Sequence, residues 1–312
     1  MRNLLDDLAK IIDSFSPAEG LNQSPVTSVH CVKYSKTDRR TKRRWRACLA
    51  IVAQGSKEVM LGRQVYRLDD AHYTATPIQL PVISRVASAT PEQPFLALLI
   101  DIDPLTLSEI AAQLGKDSLN GTGSPVRALF SGKASTEMLE AVIRLARLFR
   151  TPEDAQVLGP LVVKEILYYL LKGPEGLAIR QFVRSGSKMH SISETIYKLN
   201  SELSEEIDVA ALAQAAHMSR SAFFKHFKEV TAMSPIHYQK RLRLLEAKRL
   251  MVDEGETAEG SAFRVGYKSA SQFSREYSRM FGHPPIKHAA KLKKFGAPFN
   301  LIPSPTSVRD QK

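Results

Sequence analysis

The chain has 312 residues, and its 44 Lys and Arg outnumber its 32 Asp and Glu, giving a formal net charge of +12. A cationic surplus of this size favours anionic partners, among them nucleic acid. The chain has two cysteines, Cys31 and Cys48, which imply no disulfide framework and favour a reducing compartment such as the cytoplasm. No run of 18 apolar residues occurs, so an ordinary membrane span is excluded.

The first half of the chain predicts one helix followed by many strands. Leucine and isoleucine recur at helical spacing in residues 4–12, and the charged residues among them argue against a signal peptide. Short alternating runs separated by Gly and Pro then predict strands from about 25 to 102, in a sandwich or barrel. Gly62 lies between two runs and predicts a hairpin turn. The predicted strands are 27–35, 46–54, 57–61, 64–68, 81–88 and 94–103.

From Pro104 to about 182 the apolar spacing becomes helical, with a helix that stops at Gly173. The polar segment 184–188 predicts a domain boundary, and the following residues are helical almost throughout. We therefore expect an α+β protein with an N-terminal domain at 1–184 and a helical domain at 188–295. The N-terminal domain would hold a β-barrel at about 25–102 and helices at about 104–182. A tail at 296–312, rich in proline, is expected to be disordered.

The helical domain contains an internal sequence repeat. SRSAFFKHFKEVTAMSP at 219–235 and SASQFSREYSRMFGHPP at 269–285 align at an offset of 50. Each copy starts with a serine suited to cap a helix, has aromatic residues four apart on one face, and places a cation on another face. Upstream of each copy lie a helical run and a small residue, Ala216 or Gly266. This order predicts two helix-turn-helix units, whose second helices fit the major groove of DNA.

Two alternatives to specific DNA binding follow from the same residues. Any pair of amphipathic helices in a bundle could share Ser, Phe and Lys, although two copies at one offset argue against coincidence. Residues 218–249 carry eight Lys and Arg against two Glu, and residues 264–294 carry eight against one. Cations at this density give affinity for phosphates that salt weakens, whatever the sequence. A basic architectural protein without sequence preference therefore stays open.

The stretches 218–251 and 262–285 resemble the DNA-binding domain of the AraC/XylS family of bacterial transcription regulators. Residues 48–73 and 158–182 resemble, more loosely, the N-terminal domain of one AraC subgroup. The resemblance implies a cupin-like barrel with appended helices that binds a small effector or dimerises. It also implies two helix-turn-helix units joined by a linker helix at about 235–251. The implied function is a sequence-specific transcription activator with RNA polymerase as a partner, and not an enzyme.

In this family, base contacts come from the exposed face near the start of each recognition helix. Carried over by position, the base-reading residues are Ser221, Phe224, Lys225, Ala270, Ser271, Gln272 and Arg275. The corresponding phosphate contacts are Ser219, Arg220, Lys228, Lys268, Ser269 and Arg279. Lys and Arg suit guanine, and Gln suits adenine. Each of these roles has an alternative. Phe224 could be partly buried instead of contacting a base, Gln272 could form a capping box with Ser269, and the cations could form a solvated surface that contacts no phosphate.

A metal-dependent cupin enzyme is the rival for the first domain. That chemistry needs clustered histidines and carboxylates, whereas this domain has only His30 and His72 and no His-x-His pair. We therefore expect no metal and no cofactor. Cys31 and Cys48 are expected to be inert core residues, with a redox pair as the alternative.

Two further expectations concern basic and flexible segments. The tract RRTKRRWR at 39–46 is expected to be a solvated loop, with an extra DNA contact or an anion site as alternatives. Gly260 falls inside the first helix of the second unit, where it is expected to reduce rigidity. A linker helix of about 25 Å is shorter than the ~34 Å between successive major grooves, so bent DNA or one groove at a time is expected.

Overall fold

The computed structural model describes residues 2–115 and 127–294, so the predicted tail at 296–312 lies outside the described residues. The fold class is α+β, as predicted. The strands are β1 (Gly20–Gln23), β2 (Val29–Tyr34), β3 (Thr41–Trp45), β4 (Cys48–Gln54), β5 (Ser56–Leu61), β6 (Gln64–Leu68), β7 (His72–Thr76), β8 (Leu80–Ser88), β9 (Phe95–Asp101) and β10 (Phe130–Lys133).

Helices flank and follow these strands, and a short 3-10 turn at Leu148–Arg150 follows the third helix. The helices are α1 (Arg2–Ser14), α2 (Pro104–Gln113), α3 (Thr136–Arg147), α4 (Pro152–Lys172), α5 (Gly176–Arg180), α6 (Lys188–Ser201), α7 (Val209–Ala215), α8 (Arg220–Thr231), α9 (Pro235–Asp253), α10 (Ala258–Arg264), α11 (Ala270–Phe281) and α12 (Pro285–Lys294). Within the described residues, no helix combines the length and apolar character that a membrane span requires.

The strands form two antiparallel sheets that enclose one apolar core. Six strands pair in the order β1-β2-β9-β4-β7-β10, and four pair in the order β3-β8-β5-β6. Side chains from both sheets line one cavity, so the sheets face each other. The predicted barrel is therefore two facing sheets and is not closed among the described strands. Gly62 has φ +63° and turns the chain between β5 and β6, as the sequence indicates.

Four strands were not expected from the sequence. β1, β3 and β7 are short and rich in polar residues, and their backbone hydrogen bonds come from pairing with strands elsewhere in the chain. β1 pairs with β2, β3 pairs with β8, and β7 pairs with β4 and β10. β10 lies in the region predicted to be helical, where Phe130 pairs with Ala75 of β7. The purely helical prediction for 104–182 is therefore wrong at 130–133, because a distant strand edge supplies the hydrogen bonds that decide its conformation.

The amphipathic helix α1 packs against β2, β4 and β9 of the larger sheet, where Leu8 and Ile12 are fully buried. The helices α3 and α4 pack together beside it. The helix α4 ends at Gly173, the stop that the sequence indicates. This layer covers the outer face of the larger sheet.

Cys31 and Cys48 lie on opposite faces of the larger sheet. Cys31 pairs with Leu98 of β9 and Cys48 pairs with Asp101, three residues further along the same strand. An odd separation along a strand puts side chains on opposite faces. Both thiols are buried, and burial raises the pKa of each to about 12. A disulfide between them would need backbone movement, so the expectation of inert core cysteines fits this arrangement better than a redox pair.

The helical half contains two apolar cores. The first is continuous with the core between the sheets and includes Phe223, Phe227 and Leu242, from α8 and α9. The second is separate and includes Phe273 and Leu244, from α11 and α9. The core boundary therefore falls within α9, the linker helix.

Candidate nucleic-acid interface

The two recognition helices, α8 and α11, begin at the predicted serines. The Ser219 hydroxyl accepts a hydrogen bond from the backbone N–H of Ala222 at 3.3 Å, and the Ser269 hydroxyl accepts one from the N–H of Gln272 at 3.3 Å. Each bond satisfies one of the free N–H groups at a helix start. Both serines are exposed, so their hydroxyls lie at the surface while they cap.

The aromatic stripes lie inward in both units. Phe223 and Phe227 are fully buried with ring centroids 5.7 Å apart, and Phe273 and Tyr277 repeat the arrangement at 5.4 Å. Burial of these rings fixes which face of each recognition helix looks outward. On each outward face a cation occupies the equivalent position, Lys225 in α8 and Arg275 in α11.

Most of the predicted base-reading residues share the outward face. Ser221 and Lys225 of α8 are exposed, as are Ser271, Gln272 and Arg275 of α11. The face thus offers cationic and amide donors, the groups that pair with guanine and adenine edges in the major groove.

Phe224 and Ala270 are half-buried. Phe224 packs against the first apolar core, which agrees with the alternative that this side chain is partly buried. The Gln272 side chain does not return to its own backbone: its amide Nε2 donates to Glu276 Oε1 at 3.4 Å. Only the Ser269 half of the capping box forms.

The predicted phosphate contacts Arg220, Lys228, Lys268 and Arg279 are all exposed. Lys268 already has a partner in the protein, because its Nζ donates a hydrogen bond to Glu206 Oε2 of the first unit at 3.1 Å. Arg279 lies at the far end of α11, in a cleft that it shares with Lys42 of the sheet domain. These four cations therefore border different parts of the surface.

The turns of the two units differ by one residue. The helix pairs α7 and α10 align at an offset of 49, whereas α8 and α11 align at 50. The left-handed residue is His217 (φ 52°) in the first turn and Gly266 (φ 90°) in the second. The alignment of Ala216 with Gly266 is therefore wrong: Ala216 ends its helix at φ −79°, and the second unit has one extra turn residue.

Gly260 belongs to the start of α10 and not to its middle. The hydroxyl of Thr257 caps the helix by accepting a hydrogen bond from the N–H of Gly260 at 2.9 Å. A Cβ at Gly260 would lie 2.4 Å from Glu256 Oε1. The expected reduction in rigidity stays a prediction, because the Glu256 carboxylate that a Cβ would meet is the end of a flexible side chain.

The basic tract at 39–46 is not a solvated loop. Residues 41–45 form β3, whose side chains reach the helical half of the chain. Arg44 bonds to Asn200 Oδ1 at 3.1 Å and pairs with Glu246 of α9 at 3.4 Å. Lys42 Nζ donates to the carbonyl of Met280 at the end of α11. The tract therefore forms an interface between the halves of the chain, which its composition alone did not indicate.

Tyr238 and Lys248 of α9 complete this interface. The Tyr238 hydroxyl donates to the Gln79 carbonyl at 2.8 Å, and Lys248 Nζ donates to the Lys42 carbonyl at 3.4 Å. Burial lowers the pKa of Lys248 to about 7, and the charge of Arg43 adds to the effect. The linker helix thus carries contacts to β3 and β8 as well as to both helix-turn-helix units.

A small cavity of about 30 Å³ lies between the two sheets. Lys57 is buried beside it, with its Nζ 5.4–5.8 Å from the ring centroids of Tyr34, Trp45 and Phe95. Burial lowers the pKa of Lys57 to about 7, and Arg43 lowers it further. Among the described residues, Lys57 makes no ion pair.

The described polar groups of the sheet domain do not assemble a metal site. His30 Nε2 lies 3.0 Å from Asp101 Oδ2, next to Arg46, and His72 lies beside Asp69. Across residues 2–115 and 127–294, no group of three His, Cys, Asp or Glu residues could hold a metal ion.

The fold and this surface define a class: a two-sheet domain followed by a duplicated helix-turn-helix unit. Two family models match its parts. The N-terminus of AraC-type transcriptional regulators matches residues 25–178, and a helix-turn-helix domain matches residues 212–291. The chain belongs to the AraC family of transcriptional regulators, with an AraC-type N-terminal domain.

Similar proteins agree with this assignment. The uncharacterised HTH-type transcriptional regulator YobQ of Bacillus subtilis is 30% identical over 105 residues, 34% of this chain and 43% of YobQ. The HTH-type transcriptional activator RhaS of Pectobacterium carotovorum is 28% identical over 108 residues, 34% of this chain and 39% of RhaS. The chain thus matches less than half the length of these two relatives, both of which are named as transcription regulators.

The fold extends beyond the helix-turn-helix region. The crystal structure of ToxT from Vibrio cholerae with a bound unsaturated fatty acid matches 84% of this chain and 93% of ToxT. Its TM-score is 0.54 at 14% sequence identity. The likeness is therefore one of fold across both halves of the chain.

Proposed function

We propose that the protein is a sequence-specific DNA-binding transcription regulator whose recognition helices are α8 and α11. One observation carries the proposal: each helix buries an aromatic stripe and turns a cation, Lys225 or Arg275, to solvent at the equivalent position. Membership of the AraC family and the net charge of +12 support it. Two such helices on one chain suit two successive major grooves.

The outward residues divide by chemistry into base readers and phosphate contacts. Lys225 and Arg275 would donate to guanine O6 and N7, and Gln272 would pair with adenine after giving up its long bond to Glu276. Phe224 would contact a thymine methyl through its exposed edge. Ser221, Ala270 and Ser271 would complete the base-reading set, and Ser219, Arg220, Lys228, Lys268, Ser269 and Arg279 would bind phosphates.

The linker helix places the two recognition helices. With 19 residues, α9 spans about 28 Å, less than the ~34 Å between successive major grooves on straight DNA. We therefore propose that the protein bends its DNA. In a circular-permutation gel-shift assay, mobility should depend on the position of the site, and straight DNA with both half-sites protected would contradict the bend.

The function is tested by selecting DNA from a random library with the wild-type protein, followed by footprinting. A regulator protects a defined site in two clusters, whereas a basic architectural protein covers the DNA evenly. Lys225→Ala and Arg275→Ala should each cost about 1–3 kcal/mol, and only at the half-site that each contacts. Lys228→Ala is the matched control, because loss of a phosphate contact weakens all sequences alike and lowers the salt dependence.

We propose further that the sheet domain senses a small organic anion through Lys57. The side chain is buried beside the cavity and has three aromatic rings around its Nζ but no ion pair among the described residues. A cavity of about 30 Å³ is roughly the size of one water, so binding requires the sheets to move apart. Carboxylates that raise the melting temperature of the wild type, but not of Lys57→Met, would support this effector class. Equal shifts in both would contradict it.

The remaining expectations stay proposals of the same regulator. We propose an N-terminal domain at 1–184, a DNA-binding domain at 188–295 and a cytoplasmic location beside the chromosome. Activation through contact with RNA polymerase and self-association of the N-terminal domain are proposed on the resemblance to the family and on the activator name of RhaS. Expression of a reporter gene placed downstream of the selected site would rise if the protein is an activator and fall if it is a repressor. Sedimentation in the analytical ultracentrifuge would give the oligomeric state.

A further inference from the structure

The two helix-turn-helix units are not joined by a shared apolar core. Phe227 and Leu242 belong to the core that continues into the sheet domain, whereas Phe273 and Leu244 belong to the second core. Leu242 and Leu244 are neighbours on α9, so both cores meet at one turn of this helix. Polar contacts must therefore hold the second unit against the first at this turn of α9.

Arg243 lies at that turn and bonds to both units. Its Nε donates to the Leu203 carbonyl at 2.8 Å, and its Nη2 donates to the carbonyls of Ser204 at 3.0 Å and Glu205 at 2.7 Å. These three carbonyls lie in the connection between α6 and α7 of the first unit. Its Nη1 donates to the carbonyl of Gly266 at 3.1 Å, in the turn of the second unit.

The bonded carbonyls are backbone atoms, so the bonds hold the chain itself and not a mobile side chain. A planar guanidinium presents its N–H groups in a fixed fork, and each bond weakens steeply when its geometry departs from the optimum. Arg243 therefore bonds to backbone atoms of both units and holds them at a defined separation, whereas the other described side-chain bond between the units, from Lys268 to Glu206, lies at the exposed surface. Gln239, one turn earlier, donates to the Glu205 carbonyl at 2.7 Å and holds the same connection.

Direct contact between the two units occurs at the same place. Gly266 has φ 90°, and a Cβ built on it would lie 2.2 Å from the carbonyl oxygen of Ser204. Only glycine permits this approach, both for its conformation and for its lack of a side chain. The turn of the second unit therefore abuts the first unit four residues before α11 begins.

We propose that Arg243 is the positioning residue that sets the spacing between the two DNA half-sites. The inference rests on the proposed function and deepens it. Because the turn that Arg243 holds leads directly into α11, a fixed turn fixes where α11 lies relative to α8. One added base pair moves a half-site by about 3.4 Å and rotates it by about 35°. The bonds of Arg243 cannot follow a shift of that size, so the protein selects one spacing.

The first test uses the full-length protein and the DNA site that the wild type selects. Arg243→Met removes the bonds at similar side-chain length. Arg249→Met is the control, because Arg249 is on the same helix but pairs with Glu246 and Glu254 at 2.7 and 2.8 Å, not with the carbonyls between the units. Both variants lose one positive charge, so the general effect of charge on DNA affinity cancels.

Gel-shift competition then compares the selected site with sites that carry one or two extra base pairs between the half-sites. The wild type and Arg249→Met should lose about 10-fold or more in affinity on insertion, whereas Arg243→Met should lose less than about 3-fold. Arg243→Lys, which reaches fewer carbonyls at once, should fall between them. A folded Arg243→Met that discriminates as strongly as the wild type overturns the proposal. If far-UV circular dichroism shows that Arg243→Met is unfolded, Arg243→Lys provides the comparison.

The second test needs no DNA, so it separates this proposal from the proposed function. Spin labels are attached at Ala211→Cys in α7 and Lys287→Cys in α12, both exposed and outside the predicted DNA surface, while Cys31 and Cys48 are buried. The distance distribution between the labels should be narrow and should broaden on Arg243→Met but not on Arg249→Met. An unchanged distribution overturns the positioning role. Failure of the wild type to select any DNA sequence would instead refute the proposed function.

Discussion

Replacing the buried lysine Lys57 by methionine should stabilise the protein and flatten its response to pH. The side chain is 7% exposed, and burial lowers its pKa from 10.5 to about 7. Between these two values the unfolded chain holds a proton that the folded chain lacks. Stability therefore rises with pH through this window, and falls as pH drops toward 7.

The size of the effect follows from the two pKa values. Each unit of pH is worth about 1.4 kcal/mol, so the cost of burying Lys57 is about 4 kcal/mol at pH 7 and about 2 kcal/mol at pH 9. Relaxation and water entry reduce such costs in real proteins, and replacement of buried ionic groups by apolar ones commonly gains 1–4 kcal/mol. We therefore expect Lys57→Met to gain about 1–4 kcal/mol at pH 7, and less at pH 9.

Lys248 supplies a second contribution of the same kind. It is 4% exposed, and burial lowers its pKa to about 7 as well. Between pH 7 and 8 the wild-type slope should therefore come mainly from the two lysines, and Lys57→Met should remove about half of it. Lys248→Met should remove the other half, although it also loses the hydrogen bond to the Lys42 carbonyl. Near pH 9 the buried thiols Cys31 and Cys48, whose pKa burial raises to about 12, add a slope of the opposite sign that all variants share.

The assay is urea unfolding followed by circular dichroism at pH 6, 7, 8 and 9 for the wild type and both variants. The control is Lys36→Met, which removes an exposed lysine of the same domain and should leave the slope unchanged. A Lys57→Met protein that is less stable than the wild type at pH 7, or that keeps the full slope, would refute the reasoning. In that case the Lys57 ammonium would be compensated by its aromatic surroundings.

Three further predictions concern other parts of the chain. Gly266→Ala should destabilise the second unit by about 2 kcal/mol or more, since alanine is strained at φ 90° and its Cβ meets a backbone oxygen. His217→Gly, at φ 52° in the first turn, should be neutral or slightly stabilising. Equal effects of the two substitutions in thermal melts would contradict this prediction. Cys31 and Cys48 should resist a thiol reagent at pH 8 in the native protein and react when urea unfolds it, because burial raises the pKa of each to about 12; rapid native labelling would contradict their burial. Arg44→Ala should increase hydrogen exchange in α9, because it removes the bonds to Asn200 and Glu246, and unchanged exchange would show that this interface does not depend on Arg44.

The duplicated stretch shows how far local pattern reaches. Serine caps, aromatic residues four apart and a cation on the opposite face are all set by the helical repeat, and the structure places them accordingly at Ser219, Phe223 and Lys225 and at their counterparts. The lengths of the turns could not be predicted from the sequence pattern, because a one-residue difference in turn length does not disturb the helical periodicity on either side. The equivalence of His217 and Gly266 emerged only from backbone conformation.

The sequence by itself determined the α+β class, the two helix-turn-helix units and the outward cations, because each depends on neighbours within a few residues. The linker helix was implied by the resemblance to the AraC/XylS family. Tertiary structure alone decided that the basic tract becomes β3 and faces α9, that Lys57 and Lys248 are buried, and that Arg243 holds both units. Arg243 bonds to carbonyls that lie 40 and 23 residues away in the chain. Such partners are brought together by packing, and no local spacing of side chains encodes them.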